Sequence, residues 1–116
     1  MRIPATNEFF ETIQTRYPVV VCAEETVREV VCVSIEDMRS ESSSMTNTMA
    51  KMIFAKLLKP HVRPLYIIPS YLCKNHSTLT YWIKTYDSLY ETDKLFRKLA
   101  DRANEVFQKK IEDGNI

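Results

Sequence analysis

The chain has 116 residues, of which 45% are hydrophobic and 27% are charged, and its net charge is +1. These values are typical of one globular domain, here residues 1–116, that is long enough to bury a core. No apolar run approaches about 18 residues, so the sequence predicts no membrane-spanning helix. Polar Asn7 and Glu8 follow too soon after Met1 for a signal peptide, so a cytoplasmic protein is expected.

Glycine occurs once, at Gly114 near the C-terminus. Because glycine is the residue best suited to turns with positive φ, its absence elsewhere disfavours hairpins and favours helices joined by polar or proline-containing loops. Walker A loops, GxGxxG fingerprints and nucleophile elbows all require glycine. We therefore expect no bound nucleotide, no other cofactor and no enzymatic activity.

Cys22, Cys32 and Cys73 are odd in number, and each lies among apolar neighbours. This pattern predicts reduced, buried thiols of a cytoplasmic protein rather than a set of disulfides. Cys73 and His76 have the spacing of half a zinc site, but the sequence offers no second pair of ligands at a matching spacing. It therefore predicts no metal site.

The first half of the chain predicts helices that are interrupted at Pro18 and by a serine-rich loop. The apolar run Val19–Cys22 has strand propensity, but in the absence of a partner strand it is predicted to be a buried linker. Met45, Met49 and Met52 follow a core periodicity in the longest of these helices. The predicted helices cover residues 6–16 with Thr6 or Asn7 as N-cap, residues 23–32, residues 34–38 with Ser34 as N-cap, and residues 45–58.

The second half predicts one short helix and two long ones. Leu65–Ile68 is a short helix at best, because Pro69 removes a backbone donor. Residues 75–90 form an amphipathic helix with Trp82 and Tyr86 on its buried stripe. The C-terminal part comprises a helix over about residues 92–110, with Asp93 as a candidate cap, and a frayed tail over residues 111–116. The sequence thus predicts an all-α fold, a bundle of six or seven helices.

Charge is distributed unevenly along the chain. Residues 1–38 contain three basic and seven acidic residues, a net of −4, whereas residues 85–116 have a net of −1. Residues 39–84 contain seven basic residues and a single acidic one, Glu41, which gives a net of +6. Such a basic segment is the usual electrostatic footprint of a nucleic-acid interface, although a solvated surface can show the same count by chance.

Five small or polar residues directly precede the periodic apolar run of this helix, which starts at Leu79: Lys74, Asn75, His76, Ser77 and Thr78. They are predicted to occupy its first turn, with their side chains pointing away from the core. A helix N-terminus that carries these side chains can form hydrogen bonds with base edges and with phosphates at once. The segment is therefore a candidate DNA contact.

This segment resembles the Arg-Asp-His-Ser/Thr-Thr signature of the C-terminal DNA-binding domain of DnaA, the bacterial chromosomal replication initiator. Further segments agree with that family in order and spacing: Val27–Met38, Ala50–Leu58, Leu65–Cys73 and Asp93–Leu99. The resemblance implies a Trp-repressor-like helix-turn-helix within residues 23–110. Residues 1–22 then form an N-terminal helical extension, through which a homodimer or a protein partner could be bound.

The resemblance also implies roles for individual residues. His76 and Ser77 stand at positions that contact bases or a thymine methyl group, and Thr78 stands at a position that contacts a phosphate. Lys74 replaces an arginine. Asn75 replaces an aspartate; because asparagine pairs bidentately with adenine whereas aspartate accepts from cytosine, a different base preference is expected.

Other positions depart from the family. Ile68 and Cys73 replace two glycines of the turn. The family's arginines at the start of its long helix, one of which enters the minor groove, are replaced by Ser42–Thr48, whose hydroxyls can bond phosphates but neutralise none. The further candidate DNA contacts are Arg39, Ser43, Ser44, Thr46, Lys51 and Lys84.

Two functions are therefore open. The first is sequence-selective binding of double-stranded DNA, as an accessory replication or transcription regulator of a bacterium or mobile element. The second is a protein-interaction module that has kept the fold and lost the DNA. Binding to a duplex that weakens steeply with salt would distinguish the first from the second.

Overall fold

The computed structural model describes residues 7–114. This range contains seven α-helices and no strand. None of these helices is both long and apolar enough to cross a membrane. The predicted all-α class is confirmed for this range. The helices are α1 (Asn7–Arg16), α2 (Val19–Val31), α3 (Ile35–Arg39), α4 (Met45–Leu58), α5 (Ile67–Tyr71), α6 (Thr78–Thr92) and α7 (Lys94–Asp113).

Three helices begin with a side-chain cap, which satisfies a backbone N–H that has no partner within the helix. Ser34 accepts from the N–H of Asp37 at 3.1 Å at the start of α3. Asp93 accepts from the N–H of Phe96 at 3.0 Å at the start of α7, and Ser44 caps α4 in the same way. The predicted caps at Ser34 and Asp93 are confirmed. Thr6 or Asn7 was predicted as the N-cap of the first helix. Thr6 lies outside the described residues, and Asn7 is the first residue of α1.

The segment Val19–Cys22 is helical, so its prediction as a buried linker is wrong. It forms the first turn of α2, which follows Pro18 directly. Val19 is 5% and Val20 1% exposed, so the burial of these side chains outweighs the weak helix propensity of β-branched residues. The predicted boundary between residues 22 and 23 consequently falls within one helix.

Pro69 does not end the short helix, as the sequence suggested, but lies inside α5. It is the third residue of α5, where a backbone N–H would have no partner within the helix. The helix therefore lies two residues later than predicted, and Leu65 and Tyr66 precede it. At the C-terminus α7 extends to Asp113, so residues 111–113 are helical rather than part of a frayed tail; residues 115–116 are outside the described range.

Helix α4 lies at the centre of the fold. Its residues from Ala50 to Leu58 are all buried except Lys56, which is half-buried. It packs against α2, α3, α5, α6 and α7, and α1 in turn packs against α2 and α5. Trp82 and Tyr86 of α6 are buried as predicted, whereas Met45, at the first position of α4, is 70% exposed and lies outside the core.

A polar cluster links α1, α2 and α5. The hydroxyl of Tyr71 donates to a carboxylate oxygen of Glu24 and accepts from the Nε2 of Gln14 at 2.8 Å. Burial raises the pKa of Glu24, and the hydrogen bond from Tyr71 and the positive charge of Arg39 only partly oppose that rise. Burial and the same hydrogen bond raise the pKa of Tyr71, so its hydroxyl stays protonated and acts as a donor.

Within residues 7–114, two residues other than glycine adopt a left-handed backbone: Cys32 with φ 64° and Cys73 with φ 59°. Cys32 follows α2, and its N–H donates to the carbonyl of Arg28. All three cysteines are free thiols; Cys22 is buried, but Cys32 is exposed and Cys73 half-buried, so the prediction of three buried thiols holds for one of them. A left-handed backbone costs any residue with a Cβ about 1–2 kcal/mol.

We expect Cys32→Gly to be more stable than Cys32→Ala by about 0.5–1 kcal/mol. Glycine removes the strain of the left-handed backbone, and the larger entropy of its unfolded chain offsets part of that gain. Urea unfolding of both variants measures the difference. The control is the pair Glu11→Gly and Glu11→Ala at an exposed position within α1, where the alanine variant should be the more stable by about 1 kcal/mol. Equal stabilities of Cys32→Gly and Cys32→Ala would contradict the expectation.

We expect Glu24→Gln to change how stability depends on pH. Because the pKa of Glu24 is raised above its usual 4.5 in the folded protein, the folded state binds the proton more tightly than the unfolded state does. The wild type therefore loses stability as pH rises from about 4.5 through the raised pKa. The glutamine carbonyl still accepts from Tyr71 and does not titrate.

Urea unfolding between pH 4 and 8 tests this expectation. The stability of Glu24→Gln relative to wild type should increase across the lower part of that range and then level off. The matched control is Glu25→Gln, which alters an exposed carboxylate on the same helix. A difference between Glu24→Gln and wild type that is constant with pH would show that Glu24 has an ordinary pKa.

Candidate nucleic-acid interface

The polar segment Lys74–Thr78 lies at the start of α6, but mostly before it. Helix α6 begins at Thr78, so the prediction that all five residues form its first turn is wrong for the first four. They form a tight turn in which the N–H of Thr78 donates to the carbonyl of Asn75 at 3.1 Å. Asn75, His76 and Ser77 are exposed, whereas Lys74 and Thr78 are half-buried.

The turn after α5 closes with a Schellman motif. The N–H of Cys73 donates to the carbonyl of Ser70 at 3.0 Å, and the N–H of Lys74 donates to the carbonyl of Pro69 at 2.9 Å. Cys73 takes the left-handed position, where glycine is usual and where the family resemblance expects one. Ile68 stands at the other expected glycine, and it is buried within α5 without a positive φ.

Lys74 points back toward the end of α3. Its Nζ donates to the carbonyl of Ser40 at 2.6 Å and to the carbonyl of Arg39 at 3.3 Å. A cation at the C-terminal carbonyls of a helix is electrostatically favourable. Lys74, a candidate DNA contact, thus joins the turn before α6 to the loop between α3 and α4. We call this loop, residues 40–44, the serine loop.

Lys51 lies beneath the serine loop rather than on the surface. It is 7% exposed, and its Nζ donates to the carbonyl of Ser42 at 3.0 Å. Burial lowers the pKa of Lys51, the positive charge of Lys74 lowers it further, and Glu41 opposes both effects. Asn47, also from α4, donates from Nδ2 to the carbonyl of Asp37 at 2.7 Å. The serine loop is therefore held from below by side chains of α4 and by Lys74.

Arg39 is engaged in the interior of the fold. Its Nε donates to the carbonyl of Tyr71 at 2.9 Å. Its guanidinium carbon lies 3.4 Å from the centroid of the Phe10 ring and 4.6 Å from that of Tyr71, so the group packs over both rings, which contact each other edge to face. The structure thus gives Arg39, a candidate DNA contact, a packing role between α1, α3 and α5.

The remaining candidates lie at the surface or at a helix end. Ser43 and Thr46 are exposed on the serine loop and the first turn of α4. Ser44 accepts from the N–H of Asn47 at 3.2 Å as the N-cap of α4. Lys84 is exposed on α6, at the spacing of seven that places it on the same face as Ser77.

The structure adds two exposed aromatic residues near this surface. Tyr81 is 59% exposed, one turn after Ser77 on the same face of α6, and its position off the buried stripe was readable from the sequence. Tyr66 is 47% exposed at the start of α5, and its ring centroid lies 5.2 Å from that of His76. The apolar neighbours of Tyr66 gave no signal that separated it from the core.

Two segments predicted to contact DNA thus meet at one surface, the serine loop with the start of α4 and the turn before α6. Lys51 and Lys74 lie close enough to repel each other. The ion pairs found among residues 7–114 are Lys56–Asp87 and Lys110–Glu29, so neither lysine is neutralised in this way. An external anion at the serine loop would therefore be attracted by both.

Comparisons with protein-family models, with curated proteins and with solved structures found no match to this chain. Within residues 7–114, no three potential metal ligands among His, Cys, Asp and Glu cluster as a metal site would require. The serine loop, the α5–α6 turn and the exposed face of α6 form the surface at which the predicted DNA contacts are concentrated. We call it the candidate interface.

We expect Lys74→Gln to raise the pKa of Lys51. The substitution removes the nearby positive charge that disfavours protonation of Lys51, while burial still holds the pKa below its usual 10.5. NMR titration of the lysine side-chain resonances measures the change. Lys84→Gln, which removes an exposed lysine of α6, is the matched control and should leave the Lys51 titration unaltered. An unchanged pKa in Lys74→Gln would show that the two ammonium groups do not interact.

Proposed function

We propose that this protein binds double-stranded DNA sequence-selectively through a helix-turn-helix made of α5, the turn that follows it, and α6. In this arrangement α6 is the recognition helix, and its N-terminal end faces the bases in the major groove. The serine loop and the start of α4 lie against the phosphate backbone beside it. Both segments then contribute to one contact with the duplex.

The observation that carries this proposal is the convergence of the two segments through Lys74. Lys74 belongs to the α5–α6 turn, yet its Nζ bonds two carbonyls at the end of α3, and its charge acts on buried Lys51, which bonds the carbonyl of Ser42. Lys51 and Lys74 form no ion pair within residues 7–114, and the nearby carboxylate of Glu41 offsets only part of their positive charge. Exposed hydroxyls of the serine loop and the exposed turn before α6 lie beside them. Phosphates are the anions that such a surface suits best, because they accept from hydroxyls and are attracted by both charges.

The start of α6 is well suited to the other half of the contact. Ser77 makes no side-chain cap hydrogen bond, and the first turn contains no acidic residue, so the positive end of the helix dipole is not neutralised there. Asn75 and His76 are exposed beside it. An asparagine amide can pair bidentately with adenine, and an imidazole can donate to or accept from a base edge.

The resemblance to the DnaA DNA-binding domain supports the same function but a different target. Asn75 replaces the acid of the family signature, and the serine loop replaces the family's arginines. Arg39 packs over the rings of Phe10 and Tyr71 and bonds the carbonyl of Tyr71, so it does not restore a minor-groove contact. We therefore infer an accessory replication or transcription regulator of a bacterium or mobile element that reads its own sequence.

The proposal predicts duplex selection and salt-dependent binding. Selection of bound duplexes from a random pool at low salt should yield a preferred sequence, and affinity for it should fall steeply as salt is added.

His76→Ala should weaken binding about tenfold and relax the base preference at one position of the duplex. Lys74→Gln should weaken binding to all sequences similarly and reduce the salt slope by about 1. Asn75→Asp should shift one position from adenine toward cytosine.

Circular dichroism and urea unfolding establish that each variant is folded. Lys109→Gln is the matched control for charge, because Lys109 lies on α7 beside the groove against α2 and outside the candidate interface. It should bind the selected duplex as the wild type does. If the wild type selects no duplex and shows no salt-dependent affinity at low salt, DNA binding is not its function.

The alternative function, a protein-interaction module on the same fold, has support of its own. Met45, Tyr66, Tyr81 and Leu95 are large apolar or aromatic side chains that remain 47–70% exposed. Exposed residues of this type are common at protein interfaces. A stable dimer or hetero-complex that forms independently of DNA, together with the absence of duplex binding, would favour this alternative.

A further inference from the structure

We propose that Tyr66 is a positioning residue for DNA recognition: its exposed ring packs against His76 and holds the imidazole in the orientation that reads a base. This inference rests on the proposed DNA-binding function and adds to it a residue that determines specificity. It concerns a side chain that the family signature does not include and that lies ten residues before His76 in the sequence.

The contact joins the two helices of the proposed helix-turn-helix at their exposed ends. Tyr66 directly precedes α5, and His76 precedes α6 by two residues. The ring centroids are 5.2 Å apart and the ring planes are inclined by 30°, a distance within the range of attractive aromatic pairs. Both residues are exposed, with Tyr66 at 47%, so the pair lies on the candidate interface and not in the core.

The backbone of Tyr66 is fixed by a hydrogen bond of α5 and by the packing of that helix. Its carbonyl accepts from the N–H of Ser70 at 3.1 Å, and Ile68, two residues along, is 1% exposed in the core. The backbone of His76 is fixed in a similar way, because its carbonyl accepts from the N–H of buried Leu79 at 3.2 Å. The rotations of the two exposed side chains are the remaining freedom, and the contact between the rings restricts both.

Restricting this rotation matters because the two nitrogens of an imidazole differ. In the neutral ring one nitrogen donates and the other accepts, so the orientation of the ring decides which of the two a base edge meets. A mobile side chain must also be immobilised on binding, at a cost that corresponds to about two- to tenfold in affinity. A ring already held in place avoids this cost and presents a defined edge, as precise recognition sites require.

The first experiment measures the contact in the free protein. The ring current of Tyr66 should shift the NMR resonances of the His76 ring protons. Tyr66→Phe, which keeps the ring, should retain these shifts, and Tyr66→Leu should lose them. Tyr81→Leu, which removes another exposed aromatic ring of the interface, is the matched control and should leave the His76 shifts unchanged. If Tyr66→Leu does not alter the His76 resonances, the rings do not pack and the inference is wrong.

The second experiment measures recognition on the selected duplex and on duplexes altered at each position. Tyr66→Leu should lose about two- to tenfold in affinity for the preferred sequence and should discriminate less at the position that His76→Ala also relaxes. Tyr66→Phe should keep this discrimination. In the His76→Ala background, Tyr66→Leu should cause almost no additional loss, because the two residues act as one unit.

The outcomes separate this inference from the function on which it rests. If the wild type binds no duplex, the proposed function fails and the inference fails with it. If the wild type binds selectively and Tyr66→Leu keeps the same base preference, the inference alone fails. Additive losses in the double variant would show that Tyr66 contacts DNA independently of His76, which would also overturn it.

Discussion

The burial of α4 on all sides is the constraint on which the rest of the structure depends. A helix that is apolar around its circumference is stable only when other helices surround it, and α2, α3, α5, α6 and α7 all pack against α4. Phe54 and Ile53 are almost completely buried at its centre. Helix α6 packs on α4, and the serine loop leads into α4. The turn before α6 and the serine loop are therefore both attached to the same buried helix.

The basic segment of the sequence serves the fold more than its charge count suggests. Lys51 and Lys74 bond loop carbonyls, Arg39 packs over two aromatic rings, and Lys56 pairs with Asp87 at 2.9 Å. Such contacts use hydrogen-bond donors, but Lys51 and Lys74 form no ion pair within residues 7–114, and Glu41 alone acts on Lys51 as a nearby carboxylate. A field from fixed charges under a surface loop can therefore attract a polyanion even though few basic side chains project outward.

The sequence predicted the parts of the fold that follow from periodicity and capping, and missed those that depend on tertiary contacts. The stripe of α6 through Trp82 and the cap at Ser34 are local patterns, and both are confirmed. Val19 was misassigned because the burial of its side chain outweighs its weak helix propensity. Pro69 was misassigned because a proline in the first turn of a helix removes no hydrogen bond within that helix. For the candidate site, composition located the basic segment but carried no information on whether Lys51 points inward or outward.

The left-handed backbone at Cys73 connects the fold to the proposed recognition. It reverses the chain after α5, so that Lys74 points under the serine loop while Asn75 and the two residues after it face outward. This exposed stretch is held at one end by the bonds of Lys74 and at the other by buried Leu79. A short segment fixed at both ends loses little conformational entropy when it binds. Its side chains can thus be exposed and well placed at once, which a flexible glycine turn would achieve less well.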